Sequence, residues 1–160
     1  MRRAWLALLL VLFAVPTPLL SASAEDIGSV GYRFKWLGPN DKIVVQAFDD
    51  PEVPGVTCYM SHARTGGMKG AIGLAEDPGE ASIACRQVGA ISFAKPLPVQ
   101  EEVFNERLSI LFKKLRVVRM VDRQRNTLVY LTYSDRVIEG SPQNSVTAVP
   151  VDRATVIPTR

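Results

Sequence analysis

Apolar and polar residues alternate in short runs along most of this chain, and a period of two is typical of β-strands. The predicted strands are Ile27–Leu37, Lys42–Phe48, Val56–His62, Ser82–Val88, Leu115–Val121, Asn126–Ser134 and Ser145–Val151. The polar segments Gly38–Asp41 and Asp122–Arg125 are predicted turns, each closing a hairpin. The pattern therefore predicts a mainly β, antiparallel sandwich or open barrel.

Two segments depart from the alternation and leave room for one short helix. In residues 66–76 the glycines recur at helical spacing, but each costs about 1 kcal/mol relative to alanine in a helix, so a loop fits equally well. In residues 101–112, Phe104 and Leu108 fall at a helical interval, whereas Ile110 fits a strand. The sequence therefore leaves helix, strand and loop open for both segments.

The first 24 residues have the pattern of an export signal. Two arginines precede an apolar block of 12 residues, Ala4–Val15, and Ala22 and Ala24 occupy the −3 and −1 positions of a predicted cleavage site. A membrane-spanning helix needs about 20 apolar residues, and Pro16 interrupts this run well short of that. We therefore predict a cleaved signal peptide, 1–24, and a protein that is not membrane-anchored after cleavage.

Removal of this signal changes the bulk properties of the chain. Residues 25–160 fit one domain that is large enough to bury a core. The full chain has a formal charge of +3, and subtracting Arg2 and Arg3 leaves 17 basic and 16 acidic residues, or +1. The basic pI of the precursor therefore does not indicate nucleic-acid binding, and none is predicted.

The remaining charge is unevenly distributed. Residues 25–106 hold 7 basic and 12 acidic side chains, whereas residues 107–160 hold 10 and 4. The favoured interpretation is that the two halves form neighbouring strands whose charges pair across a sheet. A basic face for an anionic lipid, the cell wall or an acidic partner is the alternative.

Two cysteines remain after cleavage, Cys58 and Cys85, and an even pair in an oxidising compartment is typical of a disulfide. The rival interpretation is a metal site that includes His62, four residues after Cys58. Against it, His62 is the chain's one histidine, and no second cysteine lies at zinc-site spacing. We predict a Cys58–Cys85 disulfide, no metal and no cofactor.

The segments Ile27–Val30, Lys42–Pro51 and Val56–Tyr59 resemble the start of the bacterial CreA family of exported proteins. The resemblance continues through Thr65–Gly70, Gly73–Asp77, Ile83–Cys85, Gln87–Gly89, Tyr133–Asp135, Glu139–Pro142 and Ala148–Pro150. It implies a small periplasmic protein of a Gram-negative bacterium. It supports the two-cysteine interpretation and supplies no catalytic residue to transfer to this chain.

A glycine-rich stretch after the third predicted strand is the first candidate site. Backbone N–H groups freed by glycine can bind an anion, and a lysine nearby adds charge. The predicted ligand-binding residues are Thr65, Gly66, Gly67 and Lys69. No phosphate-loop or dinucleotide-binding pattern is present, and close backbone packing or a loop remains the favoured alternative.

Clustered carboxylates are the second candidate. They are Asp49, Asp50 and Glu52 in one predicted turn and Asp135 and Glu139 in another. Paired carboxylates can act as general acid and base, although acidic turn residues are usually solvated. Three such oxygens also fall short of the roughly 6–8 ligands that calcium takes. With a single histidine and no nucleophile elbow, we predict no catalytic residue.

The absence of a catalytic, metal or cofactor pattern favours a non-catalytic periplasmic binding or interaction protein. Its predicted partner is a periplasmic protein or a small anionic ligand. The alternative is a small hydrolase or anionic-ligand sensor that uses the glycine-rich segment and nearby carboxylates. A deep pocket with convergent Lys69, His62 and Asp side chains would favour the alternative. A flat apolar patch beside the basic half, residues 107–160, would favour a partner.

Overall fold

A computed structural model of the chain describes residues 22–67, 80–108, 114–135 and 142–160. The described strands are β1 (Glu25–Arg33), β2 (Asp41–Asp49), β3 (Val56–Arg64), β4 (Ala81–Gln87), β5 (Gln100–Arg107), β6 (Lys114–Asp122), β7 (Thr127–Ser134) and β8 (Asn144–Pro150). They form two four-stranded antiparallel sheets, β1-β2-β3-β4 and β5-β6-β7-β8. The predicted mainly β sandwich class is confirmed, because every described element is a strand.

The two sheets bury apolar side chains at alternate positions of each strand. β7 shows the clearest alternation, with Leu128 and Tyr130 fully buried and the residues between them half-buried. Phe48 of β2 stacks on Phe104 of β5 with ring centroids 4.5 Å apart. The backbone N–H of Cys85 in β4 donates to the Thr147 hydroxyl in β8, so these two edge strands lie side by side.

β5 covers most of residues 101–112, a segment whose sequence allows a helix, a strand or a loop. A helix over 101–112 is wrong for residues 101–107, which are extended, and residues 109–113 lie outside the described part. The pairing with β6 shifts register between Glu102 and Phe104. This bulge lets the neighbouring residues Val103 and Phe104 both face the core, which breaks the alternation that marks a strand.

The segment after β8 folds back onto the sandwich. Thr159 forms a parallel bridge with Leu97, and Val151 and Ile157 are buried in the core. Asn126, in the turn between β6 and β7, has a left-handed φ of 51° and holds this segment with its side-chain amide. The segment that follows β8 therefore contributes to the core.

Candidate interaction site

Exposed apolar side chains concentrate on the first hairpin. We call this set the hairpin surface: Ile27, Val30, Tyr32, Phe34, Trp36, Leu37 and Ile43. Trp36 is the extreme case, with 93% of its area accessible. Such a cluster on one hairpin is unlike the single scattered apolar residues of an ordinary protein surface.

The hairpin surface is exposed because β1 projects beyond the second sheet. All nine residues of β1 are exposed, so neither of its faces is covered. Among the described strands, β1 pairs with β2 alone and forms the edge of its sheet. The alternation of apolar residues at 27–37 was expected to mark one side of a strand. It does so up to Arg33, where the strand ends.

The loop that follows β1 carries the most exposed part of this surface. We call Phe34, Trp36 and Leu37 the aromatic loop. The rings of Phe34 and Trp36 meet edge to face with centroids 6.0 Å apart. The backbone N–H of Lys35 donates to the Asn40 side chain at 2.9 Å. The loop is therefore ordered by contacts of its own.

Two glycines after β3 hold the base of the aromatic loop. A Cβ atom on Gly66 would lie 1.9 Å from the Pro39 carbonyl oxygen, so no larger residue fits there. The N–H of Gly67 donates to the same oxygen at 2.6 Å. Gly38 has a φ of +87°, and a Cβ there would meet Gly67 at 2.7 Å. We call these close contacts of Gly38, Gly66 and Gly67 the glycine clasp.

The carboxylate of Asp41 lies at the centre of the clasp. Its Oδ1 accepts the Gly66 N–H at 2.8 Å, and its Oδ2 lies 3.3 Å from Lys35 Nζ. Burial alone would raise the pKa of Asp41, but the Gly66 N–H and the Lys35 ammonium together hold that pKa below its ordinary value. Asp41 is therefore ionised at neutral pH and ties the loop to both β2 and the end of β3.

The predicted anion site falls on this clasp. Gly66 donates its N–H to the Asp41 carboxylate and Gly67 donates its N–H to the Pro39 carbonyl, so the anion bound by Gly66 in this structure is the protein's own carboxylate. Thr65 precedes them directly after β3, and Lys69 lies outside the described residues. Binding of an external anion by these four residues stays a prediction.

The predicted acid–base cluster separates into distinct structural roles. Asp50 is fully buried, and its Oδ1 accepts from Arg119 Nη1 at 2.7 Å and from two backbone N–H groups. Its Oδ2 accepts the Tyr130 hydroxyl at 2.8 Å. Asp49 accepts from the Thr57 hydroxyl at 2.5 Å, and Asp135 pairs with Arg116 at 2.8 Å.

Glu139 lies outside the described residues. The expected pairing of charge across neighbouring strands is found between β5 and β6. Glu101 is directly opposite Arg119 in the register, and their side chains are 2.8 Å apart. The same guanidinium contacts Glu52 at 2.7 Å, and Glu52 also binds Lys95.

The pKa values of the neighbouring residues Glu52 and Glu101 shift in opposite directions. Burial favours the neutral form of both. Hydrogen bonds from Glu101, Lys95 and Arg119 nevertheless lower the pKa of Glu52 to about 2. For Glu101, burial, the hydrogen bond to Glu52 and the repulsion between the two carboxylates raise the pKa. Glu101 is therefore the member of the pair that binds a proton first as pH falls, beside the buried Arg119 guanidinium.

An open cleft of about 390 Å³ lies at the other end of β2 and β3 from this pair. It is lined by Ile43, Ser61, His62, Ala63, Glu80, Ala81, Ser82, Gln143 and Asn144. The His62 ring is 2% exposed, and its Nε2 lies 3.0 Å from Gln46 Oε1. Among the described residues that line the cleft, Glu80 is charged and there is no lysine or arginine to bind an anionic ligand.

The predicted disulfide is present between neighbouring strands. Cys58 of β3 is directly opposite Cys85 of β4, and their sulfurs are bonded. Both residues are fully buried in the core. The bond closes a segment that contains Gly66 and Gly67, so it ties together the two ends of the chain region that forms the clasp.

Two further surveys cover the described residues only. In residues 22–67, 80–108, 114–135 and 142–160, no group of three or more His, Cys, Asp or Glu side chains is placed to hold a metal ion. Within the same ranges, no helix has the length and apolar character that crossing a membrane requires.

Comparison with known proteins decides the family. The model of the CreA protein family matches residues 27–154. The chain belongs to the CreA family. It is 55% identical over 134 residues to Protein CreA of Escherichia coli strain K12, an alignment that covers 81% of this chain and 85% of that protein. Protein CreA of E. coli O6:H1 and of O157:H7 match equally well, and no solved structure matches.

The matched region contains every feature of the candidate site. Residues 27–154 include the hairpin surface, the glycine clasp and both cysteines. The CreA family resemblance noted in the sequence is thereby confirmed. The aromatic loop was not singled out by the sequence, although the run Tyr32-Arg33-Phe34-Lys35-Trp36-Leu37, alternating aromatic and cationic, was available as a signal.

Proposed function

We propose that this CreA family member is an exported, non-catalytic interaction protein of the periplasm that binds a partner protein through its aromatic loop. The single observation that supports this is the exposure of Phe34, Trp36 and Leu37 on a loop held in place by the glycine clasp. Apolar area in water on an ordered loop is the usual property of a docking site, since little conformational entropy is lost on binding.

The composition of the loop favours a protein partner. Tryptophan and arginine are enriched among residues that dominate protein–protein binding, and such residues are typically ringed by polar contacts. Here Arg33 and Lys35 flank the exposed rings and are within 3.8 and 3.3 Å of Asp41. Export is supported by the predicted signal peptide, 1–24, and by β1, which begins at Glu25 directly after the predicted cleavage site.

The alternative, a hydrolase or anionic-ligand sensor, has less support. Arg119 forms ion pairs with Asp50 and Glu52. The N–H groups of Gly66 and Gly67 already donate to Asp41 and Pro39 of the same chain. The part of the open cleft beside His62 that the structure describes has no lysine or arginine in its lining. An apolar patch was expected beside the basic half, residues 107–160, whereas the exposed apolar side chains of the aromatic loop belong to residues 25–106. The exposed apolar area itself supports an interaction protein over this alternative.

Site-specific photo-cross-linking in cells tests the proposal. A benzophenone amino acid replaces Trp36 in one variant and Val156 in a matched control, because Val156 is 75% exposed on the C-terminal segment, away from the first hairpin. We expect one discrete adduct with another protein from position 36 and none from position 156. Adding Phe34→Asp to the first variant abolishes that adduct if the loop is the docking surface.

Two outcomes contradict the proposal. Equal cross-linking from both positions means that contacts at the loop are nonspecific. Binding of the purified protein to vesicles with anionic lipid, lost in Phe34→Asp, together with no protein adduct, means that the loop binds a membrane surface instead. Export is checked separately, by the mass of the periplasmic protein, which must begin at Glu25.

A further inference from the structure

The free edge of β1 has the features of a strand that pairs with another strand. Within the described residues its only neighbour is β2, so alternate N–H and C=O groups along its outer edge have no strand partner. Natural edge strands are usually protected by charge or proline within the strand. The central six residues of β1, Ile27–Tyr32, contain neither.

We propose that two copies of this chain pair antiparallel along their β1 edges, on a two-fold axis through Ser29. This inference rests on the proposed function, because both take the first hairpin to be an interaction surface. It names a second copy of this chain as the molecule that binds the β1 edge. A two-fold axis makes the contact self-complementary, so each residue pair occurs twice. Ser29 then lies directly opposite Ser29 of the second copy.

Charge supports this occupant. β1 begins with the acidic residues Glu25 and Asp26 and ends with the basic residue Arg33. In antiparallel pairing about Ser29, Glu25 lies opposite Arg33 of the second copy, at both ends of the contact. Opposite charges in directly facing positions stabilise a strand pair, and like charges destabilise it. Cleavage after Ala24 leaves an α-ammonium group at Glu25, but the carboxylates of Glu25 and Asp26 keep this end of β1 negatively charged.

Side-chain size is complementary in the same register. Ile27 lies opposite Gly31 of the second copy, and Val30 lies opposite Gly28. A Cβ on Gly28 would have no neighbour within 4 Å, and one on Gly31 would meet only the Asp41 carbonyl at 3.9 Å. The glycines therefore leave open space into which the larger side chains of the second copy fit.

Two irregularities limit the strength of the contact. The register with β2 shifts between Asp26 and Gly28 and between Gly31 and Arg33, and bulges of this kind oppose nonspecific edge pairing. Regular backbone pairing is thus confined to Gly28–Gly31, and Glu25 and Arg33 attract each other at the two ends of the contact through their charges alone. Such a small contact belongs to the weak class of interfaces, and we expect a dissociation constant on the order of 10 µM.

The aromatic loop lies beyond the paired stretch, since it begins after Arg33. The two loops of the dimer are at opposite ends of the joined β1 strands. Nine residues in extended conformation span about 30 Å, so the loops remain separate surfaces. A dimer of this kind presents two copies of the loop to partner proteins.

Sedimentation equilibrium of the exported protein tests the dimer. Arg33→Glu places like charges at both ends of the contact, and we expect it to weaken dimerisation about tenfold. Combining it with Glu25→Arg in the same chain restores opposite charges across the two-fold axis and restores the dimer. Arg153→Glu, an exposed change outside the first hairpin, is the matched control and leaves the dimer unchanged.

Oxidative cross-linking tests the register. Ser29→Cys forms an intermolecular disulfide, because the two residues face each other on the axis. Val146→Cys is the control, an exposed residue of edge strand β8. A protein that stays monomeric at about ten times the expected dissociation constant overturns the proposal. A dimer that cross-links equally at both positions, or that the charge swap does not restore, also overturns it.

The same variants separate this inference from the proposed function. If Glu25→Arg alone, which also places like charges at both ends of the contact, is monomeric but still gives the protein adduct from position 36, partner binding does not need the dimer. If Ser29→Cys cross-links while position 36 gives no protein adduct, the dimer exists and the proposed partner binding fails.

Discussion

Arg119 and Asp50 form an ion pair of 2.7 Å in which both side chains are fully buried, and it joins the two sheets of the protein. Arg119 comes from β6, and Asp50 directly follows β2. Burial of two charges is costly, and the pair is stable only because further hydrogen bonds satisfy it. Tyr130 supplies one of these to Asp50, and its pKa is raised by burial and by the Asp50 charge.

Removing the cation from this pair destabilises the protein strongly. We expect Arg119→Met to lower the free energy of unfolding by about 3–5 kcal/mol, because Asp50 is left as an uncompensated buried charge. The control is Arg125→Met, which removes a 74% exposed partner of Asp122 and is expected to leave the free energy of unfolding nearly unchanged. Urea unfolding measures both, and similar losses for the two variants contradict the assignment.

Adding Asp50→Asn to Arg119→Met sharpens the comparison. The second change removes the orphaned charge, so the double variant is expected to recover part of the lost stability. If the double variant is instead less stable than Arg119→Met alone, the cost comes from lost packing and not from the buried charge.

Neutralising Glu101 is expected to stabilise the protein at high pH. The raised pKa of Glu101 means that the folded state binds its proton more tightly than the unfolded state. Its contribution is therefore complete below the ordinary value of 4.5 and is lost as pH rises through the raised pKa. Above that pKa, Glu101 is a third anion beside Asp50 and Glu52, which face only the cations Arg119 and Lys95.

Glu101→Gln keeps a hydrogen-bonding group and removes this excess charge. Since Glu101 is about one-third exposed, the gain in unfolding free energy at pH 8 is expected to be only about 0.5–1 kcal/mol. The gain should disappear at pH 4. Glu52→Gln is the opposite case. Because its pKa is lowered, ionised Glu52 stabilises the folded protein above pH 4.5, and this stabilisation is lost as pH falls toward 2. Glu52→Gln is therefore expected to lower the free energy of unfolding more at pH 8 than at low pH. Thermal melts across pH check both signs.

The glycine clasp predicts a sharp difference between two glycine-to-alanine changes. Gly66→Ala places a methyl group 1.9 Å from the Pro39 carbonyl, so the clasp must open, at a cost of about 2 kcal/mol or more. Gly28→Ala meets nothing within 4 Å and costs little. Trp36 is the only tryptophan of residues 25–160, so time-resolved anisotropy of a protein that begins at Glu25 reports its loop directly. Faster local motion is expected in Gly66→Ala alone.

The alternation of apolar and polar residues predicted the strands well, because it requires only that one face of a strand is covered. It does not depend on which distant segment covers that face. It failed at β5, where the bulge at Val103 and Phe104 turns two adjacent side chains inward. It also could not show that β1 lies outside the sandwich. A period of two indicates that a strand has two faces, but the second sheet decides whether either face is covered.

The candidate site shows the same limit. Glycine composition indicated either an anion-binding nest or close backbone packing at Gly66 and Gly67, and the structure places both glycines against Pro39 and Asp41. The acceptors, Pro39 and Asp41, come from a turn some 25 positions earlier in the chain. Only the pairing of β2 with β3 brings the two segments together. Local composition therefore predicted the donors and could not predict what they bind.

Asn126 is expected to control the C-terminal segment. Its Nδ2 donates to the carbonyls of Val151, Asp152 and Thr155, and its Oδ1 accepts the Ile157 N–H at 2.9 Å. Asn126→Gly keeps the left-handed backbone and loses these bonds, whereas Asn126→Ala loses both. We expect a loss of about 1–2 kcal/mol for glycine and more for alanine. Hydrogen exchange of the Ile157 amide should rise in both, and an unchanged rate contradicts the role.

Removing the disulfide is expected to cost about 3–4 kcal/mol, the chain-entropy value for a closed segment of 27 residues. The variant is Cys58→Ala with Cys85→Ala, and its stability must not change when reductant is added. The wild type should show no free thiol when unfolded without reductant. Because both cysteines are fully buried, thiol reductants reach the bond only after opening, so reduction of the folded protein should proceed no faster than β3 and β4 separate. Rapid reduction under native conditions contradicts this burial.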